Sequence, residues 1–397
     1  MVLTGLLGVA SLAGCGSLGS KPRPASTGAP GTMSPTAASE DPSAESAPEA
    51  SASATPNPLD GWTLEQKVGQ LLMVGADTSG PQMVSIDAVA THHVGNVFIA
   101  RQTRSGADSV RGVITALTDL VGSETSHDTP LLVATDQEGG QVQVLGGSGF
   151  SDIPSASEQA IMSTDDLTAS ARTWGQELAD VGVTMNLAPV ADLVDIPDPS
   201  SNAPIGRWGR EYGQSATTSQ DRAIAFARGM EAAGVIPTYK HFPGLGRVTA
   251  NTDTADGVTD SITTRSGDPA VSVFAEAITG GARVIMVSSA IYSAIDSSAP
   301  ATFSSVVVTD MLRGDLGFTG VVITDDVSAA VQVDAWTPAQ RAVQAVKAGC
   351  DIVLASADAT MAADMAEALI AEAQADPAFA QRVDESATRV ISLKAGS

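Results

Sequence analysis

The chain has 397 residues and a formal net charge of −24, from 45 acidic and 21 basic residues. This excess of acidic residues argues against a nucleic-acid partner, because phosphate backbones are bound by clustered Lys and Arg. It argues equally against a polybasic patch that binds a membrane surface. Hydrophobic residues make up 43% of the chain, so a large core can form, and the length allows one large domain or two ordinary ones.

The first residues have the form of an export signal. Cys15 ends the sequence LAGC, and an apolar stretch at residues 2–13 precedes it. This pattern resembles a bacterial lipoprotein signal over residues 1–15, with Cys15 as the lipidated residue. The stretch is too short to span a bilayer, so we expect an extracytoplasmic protein, secreted or held at the cell membrane by its lipid anchor only. Because no Lys or Arg precedes the apolar run, an ordinary apolar N-terminus is the alternative interpretation.

Residues 16–58 are dominated by Ser, Ala, Pro, Thr and Gly. Such a segment buries too little apolar surface to offset its chain entropy, so a disordered linker is predicted there. Ordered structure is predicted from about Trp62 onward. The sequence TLEQ at residues 63–66 has the spacing of a helix capping box.

From residue 71 onward, short apolar runs alternate with amphipathic segments. The apolar runs predict strands at residues 71–75, 94–100, 131–135, 184–188, 235–239, 284–288, 321–324 and 352–354. Most of these runs are uninterrupted, which is typical of parallel strands buried on both faces. Helices are predicted between them, at residues 109–121, 219–233, 271–279 and 338–348. The alternation indicates an α/β fold with a parallel sheet.

Two architectures fit this alternation. Eight strands with intervening helices over residues 59–397 favour a single TIM (β/α)8 barrel. A doubly wound sheet is the competitor. It is disfavoured because the glycine-rich sequence GGSG at residues 146–149 has neither the G-x-G-x-x-G spacing nor a following Lys-Ser or Lys-Thr.

Polar residues follow several of the predicted strands directly. Asp136 follows the third strand, Lys240 and His241 follow the fifth, and Asp325 and Asp326 follow the seventh. In a barrel the carboxyl ends of all strands face one rim, where active sites lie. Carboxylates with one Lys and one His indicate acid–base and nucleophilic chemistry, such as the cleavage of a glycosidic bond between two carboxyl groups. Each of these residues could instead cap a helix.

Two other chemistries are disfavoured by the sequence. The chain has four His residues and lacks the H-E-x-x-H pattern, so a zinc site is not expected. It also lacks the G-x-S-x-G turn of Ser hydrolases. We therefore expect neither a metal nor a cofactor.

Several of these segments are also family motifs. They read DQEGG at 136–140, LAPVAD at 187–192, KHFPG at 240–244 and VVITDD at 321–326. Together they resemble glycoside hydrolase family 3, and the resemblance covers about residues 62–395. Because the chain ends soon after the last predicted barrel helix, it looks like the single-domain branch of that family, the β-N-acetylglucosaminidases.

The resemblance implies a retaining glycosidase that removes non-reducing-end β-N-acetylglucosamine from glycans or cell-wall fragments. We expect it to be a monomer. Position by position, it implies that Asp325 is the nucleophile that forms a covalent glycosyl–enzyme, with Asp326 as the neighbouring alternative. The residues that match sugar-binding positions of the family are Asp136, Arg210, Lys240 and His241.

The sequence departs from the family pattern in places that bear on catalysis. The branch usually carries an Asp and a His as its acid/base pair shortly after KHFPG, but here Asn251 and Asp253 stand in those positions. Either Asp253, or Asp256 in a loop of different shape, is the acid/base, or the loop has lost it and the protein binds sugar without efficient turnover. Gln141 and Val144 stand where the family has Arg, which leaves a β-glucosidase of the same family as a further alternative.

Overall fold

The computed structural model describes residues 57–396. The predicted lipoprotein signal at 1–15, with Cys15, and the predicted linker up to residue 56 lie outside the described residues. Within residues 57–396, no helix has both the length and the apolar composition needed to cross a bilayer.

The first helix begins where the capping box is predicted. Helix α1 spans Leu64–Gly69 and is preceded by Thr63. The Thr63 hydroxyl accepts the backbone N–H of Gln66 at 3.2 Å, and the Gln66 side chain accepts the N–H of Thr63 at 3.2 Å. These reciprocal bonds satisfy N–H groups that have no partner inside a helix, which fixes the start of α1.

The predicted strands are all present, with ends that differ by a few residues. In chain order the strands are β1 Leu72–Asp77, β2 Asn96–Ala100, β3 Leu132–Thr135, β4 Gln137–Gly139, β5 Val142–Gln143, β6 Met185–Asn186, β7 Ile236–Pro237, β8 Tyr239–Phe242, β9 Thr259–Asp260, β10 Val284–Val287, β11 Ile291–Tyr292, β12 Val321–Thr324 and β13 Val353–Ala355. The predicted fifth strand is divided into β7 and β8 at Thr238, whose N–H bonds to the carbonyl of Ala188 at 2.9 Å.

Helices lie between the strands along the chain, and the four predicted ones are present. The α-helices after α1 are α2 Met83–Ala90, α3 Ala107–Thr118, α4 Ser123–Ser126, α5 Ala156–Gln159, α6 Thr164–Asp180, α7 Ala216–Ala232, α8 Pro269–Thr279, α9 Pro338–Ala348, α10 Ala362–Ala375 and α11 Pro377–Ala395. A π-helix spans Val306–Asp315. Short 3₁₀ turns are found at Pro199–Ser201, Gly206–Trp208, Ala301–Phe303, Val331–Val333 and Ala359–Met361.

The central strands pair in parallel, as the apolar runs predict. One sheet has the order β13-β1-β2-β3-β6-β7, and a second has the order β12-β10-β8. The two sheets meet twice: β7 and β8 are separated only by Thr238, and Ile323 of β12 bridges in parallel to Ile352, next to β13. Pairs β4–β5 and β9–β11 are small additions beyond the strand ends.

The core has two layers that follow the alternation of side chains along the strands. The larger layer packs the strands against the helices. The smaller layer contains buried residues from eight strands, together with Val390 and Leu393 of α11. One residue from each strand is Met73, Phe98, Leu132, Met185, Ile236, Met286, Ile323 and Leu354. Because both faces of the strands are buried, their sequences are continuous apolar runs.

Candidate active site

A cleft of about 460 Å³ lies beyond the carboxyl ends of the parallel strands. All of the site residues predicted within residues 57–396 lie in its lining: Asp136, Arg210, Lys240, His241, Asp253 and Asp325. Asp326 and Asn251 also line it, whereas Asp256 does not. The volume is typical of pockets that enclose a small ligand.

Strand β8 delivers two consecutive side chains, Lys240 and His241, to this cleft. Successive residues of a regular strand point to opposite faces. Here the pairing with β10 shifts, because Ile285 pairs with Tyr239 and Val287 pairs with Phe242. One extra residue is therefore accommodated in β8. Such bulges redirect side chains and are common next to active sites.

Lys240 lies at the centre of a buried network of charges. Its Nζ is 2.6 Å from Oδ1 of Asp136 and 2.7 Å from Oε1 of Glu138. Arg210 donates two hydrogen bonds to Glu138, from Nε at 2.8 Å and from Nη2 at 2.7 Å. Its Nη1 donates to the carbonyl of Pro204 at 2.8 Å. Two carboxylates thus face two cations, which keeps the group neutral overall.

The charges in this network hold each other ionised. Burial alone would raise the pKa of Glu138, but the charges of Arg210 and Lys240 outweigh burial and lower it to about 2. Burial would lower the pKa of Lys240, but the carboxylates of Asp136 and Glu138 raise it above its usual value. The network therefore presents fixed charges and hydrogen-bond donors across the neutral pH range.

Glu138 was not among the site residues predicted from the sequence, although it lies within the DQEGG motif. Asp136 and Glu138 are two positions apart in extended chain, so their side chains share a face. Gln137, between them, turns away and bonds to the backbone of Leu145 at 2.8 and 2.9 Å. The two-residue spacing in the sequence could have identified Glu138 as a companion of Asp136.

His241 is oriented by Asp192, the last residue of the LAPVAD motif, which follows the fourth predicted strand. The fully buried Asp192 carboxylate is 2.7 Å from Nδ1 of His241 and accepts the backbone N–H groups of His241 and Leu245 at 3.1 and 2.7 Å. Since a carboxylate only accepts hydrogen bonds, Nδ1 carries a proton. Nε2 is left as the ring nitrogen that a ligand can use.

Asp325 follows β12 directly and lies against the floor of the cleft. Its backbone N–H donates to the carbonyl of Val287 at 2.9 Å, which continues the pairing of β12 with β10. The pKa of Asp325 is raised to about 6, chiefly by burial; the charge of His241 opposes this rise and the negative charge of Asp253 contributes to it. Asp325 is therefore a carboxylate that titrates close to neutral pH.

Asp326, the neighbouring alternative, has a different environment. Its Oδ1 accepts from the Ser328 hydroxyl at 2.7 Å and from the backbone and hydroxyl of Ser356 at 2.7 and 2.9 Å. Its Oδ2 accepts the N–H of Ala329 at 2.9 Å. Both carboxylate oxygens therefore accept hydrogen bonds that join the turn after β12 to the segment after β13. Asp326 in this way stabilises the turn that begins with Asp325.

The loop that carries Asp253 is fixed near its start by Arg247. The guanidinium bonds to both oxygens of Asp195, at 2.8 and 2.7 Å, and to Asp268 at 2.9 Å. The Arg247 side chain is only 5% exposed. A buried Arg held by two carboxylates is a firm anchor, because moving it would leave uncompensated charges.

The end of the same loop is fixed by Gln332. Its side chain accepts the N–H of Val258 at 2.8 Å and donates to the carbonyl of Val258 at 3.2 Å. The backbone N–H of Gln332 donates to the carbonyl of Thr252 at 3.0 Å. Next to it, Asn251 accepts the N–H of Asp253 at 2.9 Å. The Asp253 carboxylate is exposed above the cleft and close enough to Asp325 to affect its pKa.

The chemistry of the cleft follows from these groups. Among residues 57–396, no cluster of three or more His, Cys, Asp or Glu side chains is arranged to hold a metal ion. Asp325 on the floor and Asp253 on the overlying loop are two carboxyl groups on one cavity. Two such groups can divide nucleophilic attack and proton transfer between them.

Comparison with known proteins agrees with this geometry. The family model for the glycosyl hydrolase family 3 N-terminal domain matches residues 63–393. The β-hexosaminidase LpqI of Mycobacterium tuberculosis is 31% identical over 300 residues, which is 72% of this chain and 72% of that protein.

Solved structures lead to the same family. A β-N-acetylhexosaminidase from Beutenbergia cavernae is 54% identical, with a TM-score of 0.83 over 84% of this chain and 98% of that chain. A family 3 β-N-acetylglucosaminidase from a Paenibacillus species is 30% identical, with a TM-score of 0.75 over 84% of this chain and 62% of that one. The chain therefore belongs to glycosyl hydrolase family 3.

Proposed function

We propose that the protein is a retaining β-N-acetylhexosaminidase that removes N-acetylglucosamine from the non-reducing ends of glycans or cell-wall fragments. The single observation that carries this proposal is the cleft in which Asp325 and Asp253 lie together with Asp136, Lys240 and Arg210. The activities for which its relatives are named, β-hexosaminidase and β-N-acetylglucosaminidase, support the choice of sugar. We expect release of nitrophenol from 4-nitrophenyl N-acetyl-β-glucosaminide. Higher kcat/KM for the corresponding β-glucoside would favour the β-glucosidase alternative.

We propose further that the parallel strands close into a (β/α)8 barrel. Its support is the smaller core cluster, to which residues from eight strands contribute. The two points at which the sheets meet, at Thr238 and at Ile323–Ile352, supply the remaining neighbours of a ring. In such a barrel the side chains at the carboxyl ends of the strands converge on one rim, as the cleft residues do.

In the proposed mechanism Asp325 attacks the anomeric carbon while the bond from that carbon to the leaving oxygen breaks. Asp253 gives its proton to that oxygen. In the second step Asp253 removes a proton from water, the water oxygen attacks the same carbon, and the bond to Asp325 breaks. The choice of Asp325 over Asp326 rests on the four hydrogen bonds that occupy the Asp326 carboxylate.

The network around Lys240 is proposed to bind the sugar hydroxyl groups. The Asp136 side chain is 28% exposed and is the accessible end of the network. Glu138 is buried behind Lys240 and Arg210 and positions both cations. Such donors and acceptors can bind the sugar more strongly as its ring flattens toward an oxocarbenium ion.

Asp253→Ala tests the acid/base assignment. A general acid contributes roughly 10²–10⁴-fold to the rate, so we expect kcat/KM to fall by that factor for substrates with a sugar as leaving group. The fall should be small for dinitrophenyl glycosides, because dinitrophenolate leaves without a proton. Added azide should restore turnover and yield the glycosyl azide. Asp256→Ala is the matched control, since Asp256 does not line the cleft. Equal losses on all substrates, without azide rescue, would contradict the assignment.

The pH dependence of kcat/KM tests the nucleophile. Because Asp325 must be ionised to attack and its pKa is raised to about 6 by burial, kcat/KM is expected to fall as the pH drops through about 6. Asp253→Asn removes a like charge, so the acidic limb should move to lower pH. The measurement uses a glycosyl fluoride, whose leaving group needs no acid. An acidic limb that does not move in Asp253→Asn would count against the proximity of the two carboxylates.

The proposed location is outside the cytoplasm. Its support is the resemblance of residues 1–15 to a lipoprotein signal. We propose Cys15 as the site of lipidation, and metabolic labelling with a radioactive fatty acid tests it, because the label should be absent after Cys15→Ser.

A further inference from the structure

One segment of the chain joins the proposed nucleophile to the loop of the proposed acid/base. It comprises residues 325–334, and we call it the connecting segment. It begins with Asp325, contributes Ala329 and Ala330 to the lining of the cleft, and ends with the 3₁₀ turn Val331–Val333 and the residue after it. The position of its far end therefore affects how the two carboxyl groups of the proposed reaction face each other.

The connecting segment bonds to the loop that carries Asp253, mainly through Gln332. The backbone N–H of Gln332 donates to the carbonyl of Thr252 at 3.0 Å. The backbone N–H of Val331 donates to the carbonyl of Asp253 at 3.4 Å. The Gln332 side chain bonds to both backbone groups of Val258, at 2.8 and 3.2 Å. Gln332 is buried, which strengthens such bonds, and it therefore holds the loop on both sides of Asp253.

The connecting segment is itself fixed by the buried Arg341 of α9. Nη1 of Arg341 donates to the carbonyls of Val327 and Ser328 at 2.6 and 3.1 Å. Its Nε donates to the carbonyl of Trp336 at 2.8 Å, and its Nη2 pairs with the Asp334 carboxylate at 3.2 Å. One guanidinium therefore bonds near the start and at the end of the connecting segment, which fixes the place of Gln332 relative to the start of that segment.

We propose that Gln332 is a positioning residue that sets the separation between the carboxyl groups of Asp253 and Asp325. This inference rests on the proposed function. A retaining glycosidase needs its two carboxyl groups about 5–5.5 Å apart, because one attacks the anomeric carbon while the other protonates the leaving oxygen. Asp325 is fixed by the pairing of β12 with β10, whereas Asp253 lies in the loop between β8 and β9. Its distance from Asp325 therefore depends on the bonds that Gln332 makes to backbone atoms of that loop.

The kinetic test uses Gln332→Met, which keeps the length of the side chain and removes its two hydrogen bonds to Val258. For β-linked N-acetylglucosamine oligosaccharides we expect kcat/KM to fall roughly ten- to a hundredfold, because a displacement of about 1 Å impairs proton transfer to the leaving oxygen. For N-acetylglucosaminyl fluoride, whose leaving group needs no acid, we expect kcat/KM to stay close to the wild-type value. Equal losses on both substrates, or no loss on oligosaccharides, would overturn the positioning role.

The pH dependence of kcat/KM for the fluoride is a readout that a general loss of stability would not move. The charge of Asp253 contributes to the raised pKa of Asp325. If the loop moves away in Gln332→Met, the acidic limb should shift to lower pH, in the same direction as in Asp253→Asn. Gln340→Ala is the matched control, because it removes a side-chain bond to Thr337 that caps α9 and leaves the loop untouched. It should lower stability without moving the limb.

A second variant and the wild-type protein separate this inference from the proposed function. Gln332→Asn keeps the amide but shortens the side chain by one methylene, so it should show the same selective loss on oligosaccharides in a milder form, including the case in which Gln332→Met does not fold. If Gln332→Asn has the wild-type pH profile and the wild-type ratio of the two substrates, the positioning role is wrong and the function stands. If wild-type protein hydrolyses neither the fluoride nor any oligosaccharide, the proposed function itself fails.

Discussion

Asp325→Asn is expected to reduce kcat/KM for aryl N-acetyl-β-glucosaminides by on the order of 10⁴–10⁶-fold, the scale seen when a covalent nucleophile is removed. Asn has nearly the same shape as Asp and cannot form the glycosyl ester. Binding of N-acetylglucosamine should persist, because the network of Asp136, Lys240 and Arg210 is unchanged. Steady-state kinetics and calorimetry measure the two effects separately. Activity within tenfold of wild type would exclude Asp325 as the nucleophile.

The same substitution is expected to stabilise the folded protein above neutral pH. Burial raises the pKa of Asp325 to about 6, so the folded state holds this proton more tightly than the unfolded chain does. Stability from this group is therefore present at low pH and is lost as the pH rises toward and through about 6. Asp325→Asn removes the charge, so it should raise the free energy of unfolding by up to about 3 kcal/mol at pH 7.5 and should change it little at pH 4.

Asp326→Asn is the matched control for this effect. Its carboxylate accepts hydrogen bonds from Ser328, Ser356 and Ala329, so its replacement should lower the melting temperature at both pH values. Thermal unfolding of the two variants at pH 7.5 and pH 4 gives the comparison. A lower melting temperature for Asp325→Asn at pH 7.5 would contradict the raised pKa of that residue.

Glu138→Ala is expected to cause the largest loss of stability, about 3–5 kcal/mol, because it leaves the buried Lys240 and Arg210 without their shared partner. The Glu138 side chain is only 4% exposed, and its carboxylate binds both cations. Urea unfolding monitored by circular dichroism measures the change. Glu138→Gln keeps the shape and should also destabilise, since it leaves two cations facing one carboxylate, that of Asp136.

A surface ion pair is the control for Glu138. Arg104 and Asp152 pair at 3.1 Å with side chains that are 79% and 85% exposed. Such pairs contribute about 0–1 kcal/mol, so Asp152→Ala should have little effect on the urea midpoint. If Glu138→Ala lowered the free energy of unfolding no more than Asp152→Ala does, Glu138 would not pair with Lys240 and Arg210 as the distances indicate.

The strands could be predicted from the sequence because each is an apolar run buried on both faces, which is a local pattern. The residues after β3 and β12, Asp136 and Asp325, could be placed at one rim because parallel strands have their carboxyl ends on the same side. Both stand in the cleft. Their positions follow from rules about a single strand and its neighbours, so no long-range contact had to be known in advance.

The rest of the site depends on contacts between distant segments, which local patterns do not contain. The alternation rule would turn either Lys240 or His241 away from the cleft, and the bulge that prevents this arises from pairing with β10. The anchoring of Arg247 by Asp268 joins positions that no periodicity links. The spacing within DQEGG places Glu138 beside Asp136, but its pairing with Arg210, 72 residues further along the chain, is not contained in any local pattern.

The loop anchors at Arg247 and Gln332 make the proposed proton donor, Asp253, a part of the enzyme that can be exchanged on its own. The stem before residue 248 and the stem after residue 257 are each bonded to the rest of the fold, so the tip between them can change in sequence while the floor of the cleft keeps its shape. If Asp253 acts as we propose, an Asp at the tip replaces the Asp–His pair of this branch, and selection can change the working pH of the enzyme without changing the proposed sugar-binding residues.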